Sequence, residues 1–146
     1  TVIDSSHRQI TLPDGSLDLR AWKKNSTYDK VMRDSLLPLA NHWKRIQELK
    51  NVYIAVITAR VMADADYDYL RFKRLKADKI MSRAFFDHRP DHIMKRQKIL
   101  TWLFDNNIKN WSDVTFYDDN KNVLEMLLDL GINAKDSIKI NKELTK

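Results

Sequence analysis

Cysteine is absent from the 146 residues, which excludes a disulfide framework, a thiolate nucleophile and Cys-based zinc sites. Glycine occurs twice and proline three times, so the chain has few loops and no flexible linker. No apolar run approaches the length of a membrane span and no signal-peptide pattern is present, so no membrane partner is expected. Internal repeats and low-complexity segments are also missing. A cytoplasmic location is the expectation.

What is present suits one domain with a proper core. Hydrophobic residues make up 43% of the chain, enough to fold without metal staples. The net charge is +6 and 32% of residues are charged. That balance favours anionic partners such as nucleotides, nucleic-acid ends or other phosphoesters, although many soluble domains carry such a charge for solubility alone.

Hydrophobic periodicity and turn signals give the element order. Residues Arg8 to Leu19 read as a small hairpin turning at Pro13-Asp14-Gly15. Ala21 to Asp34 reads as a loop with a short helix after Ser26 or Thr27. Leu36 to Lys50 has the apolar spacing of an amphipathic helix. Val52 to Ile57 (VYIAVI) is continuous, apolar and β-rich, the pattern of a strand buried on both faces of a parallel sheet. A helix over Ala63 to Lys76, a short strand over Lys79 to Arg83 and a helix from about Asp91 to Phe104 follow. A strand at Val114 to Tyr117, a helix capped by Asn120 and ending at Gly131, and a last strand at Ser137 to Ile140 complete the series. Alternation of this kind predicts a parallel sheet with helices on both faces.

The most informative stretch is DVTFYDDNKNVLE, Asp113 to Glu125. A buried strand stops there at two adjacent acids, Asp118 and Asp119, and carboxyl ends of parallel strands are where open α/β sheets bind ligands. Side by side the two carboxylates repel, so they are most comfortable with a cation between them and a phosphate. Thr58 ends another strand on the same edge, and Lys95 lies near the start of the intervening helix. A hydroxyl, an ammonium and two carboxylates make a phosphate-plus-magnesium constellation. Each residue also has a plainer reading: Thr58 as a helix cap, Lys95 as part of a solvated face with Arg96 and Lys98, and the two acids as an ordinary turn.

In order, VITAR, a Lys near a helix start and FYDDN resemble motifs two, three and four of the haloacid-dehalogenase-like (HAD) hydrolases. The segment around Asp87 to Ile99 followed by FYDDN particularly resembles the phosphatase domains of phage polynucleotide kinases. The resemblance implies a three-layer Rossmann-like α/β fold, with a core over residues 39–146 and a small cap insertion over about 4–38. It implies a Mg²⁺-dependent phosphomonoesterase acting on a nucleotide or polynucleotide phosphate. Thr58 would bind the phosphate and Lys95 would neutralise it, with Lys98 the rival for that role. Arg60 would be a further phosphate contact, Asp118 and Asp119 would hold Mg²⁺, and Asn120 would support them.

The family's first motif, DxDxT, supplies the nucleophilic and general-acid Asp and is not in this sequence. Thr1-Val-Ile-Asp-Ser-Ser resembles its tail, so both acids and the central first strand are expected upstream of Thr1. Asp4 lies beyond the expected position and is not promoted to nucleophile. Without that strand, the strands at 52–57 and 113–117 would stand about 10 Å apart with unpaired backbone facing the gap. On its own the chain is expected to be catalytically dead. The alternatives are an inactive pseudo-phosphatase or a basic nucleic-acid-binding module built on Arg71, Lys73, Arg74, Lys76 and Lys79 with Tyr67, Tyr69 and Phe72 between them. A metal site on His88 and His92 is disfavoured because Pro90 separates them and no third ligand is evident; His7 and His42 offer less.

Overall fold

The computed structural model describes residues 1–146. A two-residue strand, β1 (Ile3–Asp4), pairs antiparallel with β2 (Ser35–Leu36), so residues 5–34 leave and return at one point. Inside this insert the Pro13-Asp14-Gly15 turn closes a single bridge between Thr11 and Leu17, and Gly15 takes the positive φ that the turn requires. Two short helices follow, α1 (Leu19–Lys24) and α2 (Tyr28–Val31). The second lies where a helix after Thr27 is expected. The first occupies part of a predicted loop, because Asp18 caps it by accepting the Ala21 N–H at 3.0 Å.

The rest of the chain alternates: α3 (Leu39–Ile46), β3 (Ala55–Thr58), α4 (Asp64–Phe72), β4 (Lys79–Ser82), α5 (Asp91–Asp105), β5 (Thr115–Asp118), α6 (Lys121–Asp129), β6 (Asn133–Asp136) and α7 (Ser137–Leu144). The first of these, α3, is shorter than the span predicted from Leu36 to Lys50, since Leu36 is taken by β2 and Leu49 is exposed. A larger correction concerns Ser137 to Ile140, which is helical. The last strand lies one segment earlier, where Asn133 to Asp136 pairs with Thr115 to Asp118. Asp136 ends it by accepting the Ile138 N–H at 3.0 Å and the Lys139 N–H at 3.4 Å as an N-cap. Gly131, in the left-handed conformation at φ +81°, stops α6 and lets β6 begin.

The four longer strands form two parallel pairs, β3 with β4 and β5 with β6, rather than one continuous sheet. Strand alternation sends Ala55, Ile57, Met81, Phe116 and Ala134 to one face, against Ile99, Leu103, Val123 and Leu127 of α5 and α6. Val56 and Ile80 point the other way, toward Trp43 and Leu70 of α3 and α4. Helices therefore cover both faces of the β3–β4 pair, and one core beneath α5 and α6 spans both pairs.

Polar contacts fasten the insert to this frame. Arg8 and Asp34 form a fully buried two-point ion pair, Nε to Oδ1 and Nη2 to Oδ2, both 2.8 Å. Arg8 also stacks 4.3 Å from the Trp22 ring, and the Tyr69 hydroxyl of α4 donates to the Asp34 carbonyl at 2.7 Å. Replacing Asp34 by Asn strands a buried guanidinium and is expected to cost about 3–5 kcal/mol in chemical denaturation; a loss within experimental error would contradict the pairing. Burial pushes the Tyr69 phenol up to about 12, with the Asp34 charge adding to it. A folded pKa above the unfolded value of about 10 favours the protonated form. Its contribution to stability is thus complete below pH 10 and is lost as pH rises toward 12. Alkaline melts of wild type and Tyr69→Phe should converge across that window, and parallel curves would contradict this.

Candidate functional site

Between β3 and β5 runs a cleft of about 540 Å³, lined on one side by Ala55 to Thr58 and on the other by Thr115 to Asp118. No backbone hydrogen bond crosses it, and each strand pairs on one side only. Its lining is mostly apolar, and the charged groups collect where β3 and β5 end. There the cleft brings together Thr58, Arg60, Asp91, Lys95, Asp118 and Asp119.

Lys95 reaches this mouth because of its position on α5. Pro90 precedes the helix in extended conformation, and Met94, Ile99, Trp102 and Leu103 form its buried face. At 3.6 residues per turn Lys95 sits near the centre of that arc, and Lys98 lies about 60° away within it, on the Met94 side. Lys95 is 8% exposed and its Nζ donates to Asp118 Oδ2 at 2.7 Å. Lys98 is half-buried and does not line the cleft.

Asp118 is 2% exposed. Its Oδ1 accepts the N–H groups of Asp119 and Asn120 at 2.8 and 2.9 Å, so both carboxylate oxygens are engaged. The repulsion between adjacent acids is relieved here by an ammonium and two amides. Asp119 differs: it is exposed, lines the cleft and has no hydrogen-bond or ion-pair partner for its carboxylate. Asn120 caps α6 by accepting from Asn122 and Val123, which commits its side chain to the helix.

On the opposite wall Thr58 Oγ1 accepts the Arg60 N–H at 3.1 Å, which leaves the hydroxyl proton free to donate. Arg60 lines the cleft but pairs with Asp66 at 2.8 Å, and burial lowers its pKa. Its guanidinium is thus held against α4 and 5.3 Å from the Trp22 ring. Asp91, Asp66 and Trp22 also line the cleft and were not singled out by motif or spacing. Among metal-ligating side chains no group of three His, Cys, Asp or Glu stands together. The acids at the mouth are hard oxygen donors of the kind Mg²⁺ takes, fewer than a complete set. His88 is in a loop outside α5, His7 lies 2.8 Å from Asp34, and His42 is 3.3 Å from the Tyr117 hydroxyl.

The sequence profile of the family described as bacteriophage T5 5'-deoxynucleotidase matches residues 1–146, the whole length given. The chain belongs to this family. A 5'-deoxynucleotidase of Escherichia phage T5 is 30% identical over 165 aligned positions, covering 99% of the chain. The chain spans 66% of that relative's length. No solved structure matches. Within this member of the T5 5'-deoxynucleotidase family, the polar groups of the cleft centre on one buried ion pair. Lys95→Met and Asp118→Asn are each expected to cost about 3–5 kcal/mol in denaturant unfolding, since each leaves a buried partner uncompensated. The double variant should lose clearly less than the sum. Additive losses would contradict direct coupling.

Proposed function

We propose that the chain forms the larger part of a HAD-type phosphomonoesterase acting on the 5'-phosphate of a deoxynucleotide. The observation that carries the reading is the buried Lys95–Asp118 pair at the mouth shared by the carboxyl ends of β3 and β5, with Thr58 and Asp119 beside it. The resemblance of VITAR and FYDDN to HAD motifs, the family match and the basic net charge support it. The name of the phage T5 relative points to a deoxynucleoside monophosphate, and a polynucleotide phosphate end is the neighbouring possibility.

In this reading the cleft between β3 and β5 takes a further parallel strand, which would join the two pairs into one continuous sheet, the middle layer of a three-layer α/β fold. A mostly apolar cleft bounded by two one-sided strand edges suits such an occupant. Thr1 supports its direction. The Thr1 carbonyl accepts from Asn141 Nδ2 of α7 at 2.8 Å, and Thr1 to Ile3 line the cleft. A strand running into Thr1 beside β3 and β5 would therefore end at the edge that holds Thr58 and Asp118. Acids at its end would face Lys95.

The residues of this chain then have distinct tasks. Lys95, oriented by Asp118, balances charge on the phosphoryl group, and the Thr58 hydroxyl donates to a phosphoryl oxygen. Asp119, with its open carboxylate, is the residue here best placed to hold Mg²⁺, and Asp118 stands behind it. Mg²⁺, when bound, would neutralise phosphate charge and orient the group. A carboxylate oxygen from the added strand attacks phosphorus as the ester P–O bond breaks. The leaving 5'-oxygen takes a proton from a second acid, and water then hydrolyses the aspartyl-phosphate to inorganic phosphate.

A non-catalytic nucleic-acid-binding role has one observation in its favour, a depression lined by Lys44, Arg71, Arg74 and Lys76. It lies toward the amino end of β4, away from the carboxyl-end mouth of the cleft. The parent protein should release phosphate from deoxynucleoside monophosphates only with Mg²⁺, and Asp119→Asn should lower kcat by at least about a hundred-fold, the order expected when one charge-stabilising group is lost. No Mg²⁺-dependent release, or full activity in Asp119→Asn, would overturn the assignment.

A further inference from the structure

The two most exposed large hydrophobic side chains of the molecule are adjacent: Phe85 at 78% and Phe86 at 80%. They stand on the loop between β4 and α5, and that loop is held tightly. The Arg83 guanidinium donates to the carbonyls of Ala59 at 2.7 Å, Asp87 at 3.1 Å and Arg89 at 2.7 Å, and to Asp91 Oδ1 at 2.7 Å. Its amide reaches the carbonyls of Thr58 and Arg60, both 3.2 Å. Asp87 adds a second clamp, accepting Arg89 Nε at 3.0 Å and Nη2 at 2.7 Å. These contacts hold the Asp87 carboxyl well below the usual carboxylate range. Single exposed apolar residues are ordinary, but two neighbouring rings on a clamped loop call for a use.

The clamp also fixes where the rings stand. Arg83 is bonded to Thr58 through its amide and to Asp91 through its side chain, and both of those residues line the cleft mouth. Phe85 follows two residues later. The loop that carries the aromatic pair therefore leaves β4 at the same carboxyl edge as Thr58, and the two rings stand next to the cleft mouth without lining the cleft itself. Two rings offer far less area than the roughly 800 Å² that each partner of a stable protein complex buries. They do offer flat π-faces, the surface on which a nucleobase stacks.

We propose that Phe85 and Phe86 form the platform that takes the base of the substrate while its 5'-phosphate sits between Thr58 and Lys95. This rests on the phosphatase reading above and extends it to the nucleoside. The loop then serves as a ruler: Arg83 ties the aromatic platform to the phosphate-binding strand, so base and phosphate are read at one fixed separation.

The test compares two substrates of the parent protein, deoxyadenosine 5'-monophosphate and 2-deoxyribose 5-phosphate, which lacks the base. Wild type should favour the nucleotide in KM. In Phe85→Ala/Phe86→Ala that preference should fall by roughly ten-fold or more, the order expected for losing one stacked base, with the change in KM rather than kcat. Phe85→Leu/Phe86→Leu keeps apolar bulk without the π-face and should lose most of the same preference. Thermal melts of both variants should match wild type, because the rings bury little. An unchanged preference, an equal change with both substrates, or a large loss of stability from covering elsewhere in the parent protein would each overturn the proposal. Phosphate release from neither substrate by wild type would overturn the phosphatase reading instead, and this inference with it.

Discussion

An unpaired strand edge is an open template for a further strand, and two such edges here lie along one mostly apolar cleft with no backbone hydrogen bond across it. Each of β3 and β5 has spent one edge on its parallel neighbour. Each turns the other toward the same cleft, and α5 and α6 hold the two pairs on one core. These strands are half-buried, so the cleft-facing groups are free to pair with a strand entering the cleft. The same geometry that leaves the cleft open to a strand also aims both strand ends at one place. The polar site and the missing pairing are two consequences of one arrangement.

Charge placement follows the same logic. A Lys at the centre of an otherwise apolar helix face is tolerated only with a close counter-charge, and Asp118 supplies it at 2.7 Å. Asp118 can be that residue because the turn after β5 presents two amides to its other oxygen. The insert is anchored by an equivalent device, Arg8 on Asp34, with Tyr69 tying both to α4. Two buried ion pairs therefore position the two parts that meet over the cleft. Asp119, outside both, keeps an unengaged carboxylate at the mouth.

Much of this was legible in the residues. VTFYDD declares a strand through its β-rich apolar run. VYIAVI does so in its second half only, since Val52 and Tyr53 are exposed ahead of β3 and the residues of β3 are half-buried. Asn120 and Gly131 mark the ends of α6 by their capping chemistry. The choice between Lys95 and Lys98 was also available, since a helical wheel places Lys95 mid-face; reading the pair as a charged cluster obscured it. The final strand was misplaced because NAKD carries no apolar run. It is a strand through its pairing with β5, whereas SIKI has β-type composition and is helical through the Asp136 cap. Arg83, Asp34 and Trp22 belong to no motif and act through partners distant in sequence, which spacing does not reveal.

Amide hydrogen exchange tests the central claim, that the β3–β5 cleft is a strand site whose filling completes the active centre. The cleft-facing amides of Ala55 to Thr58 and Thr115 to Asp118 are the probes. In the parent protein they should exchange as slowly as the amides bonded within the two parallel pairs, and in residues 1–146 alone they should exchange far faster. Equal, rapid exchange in both would show that no strand occupies the cleft and would contradict the account.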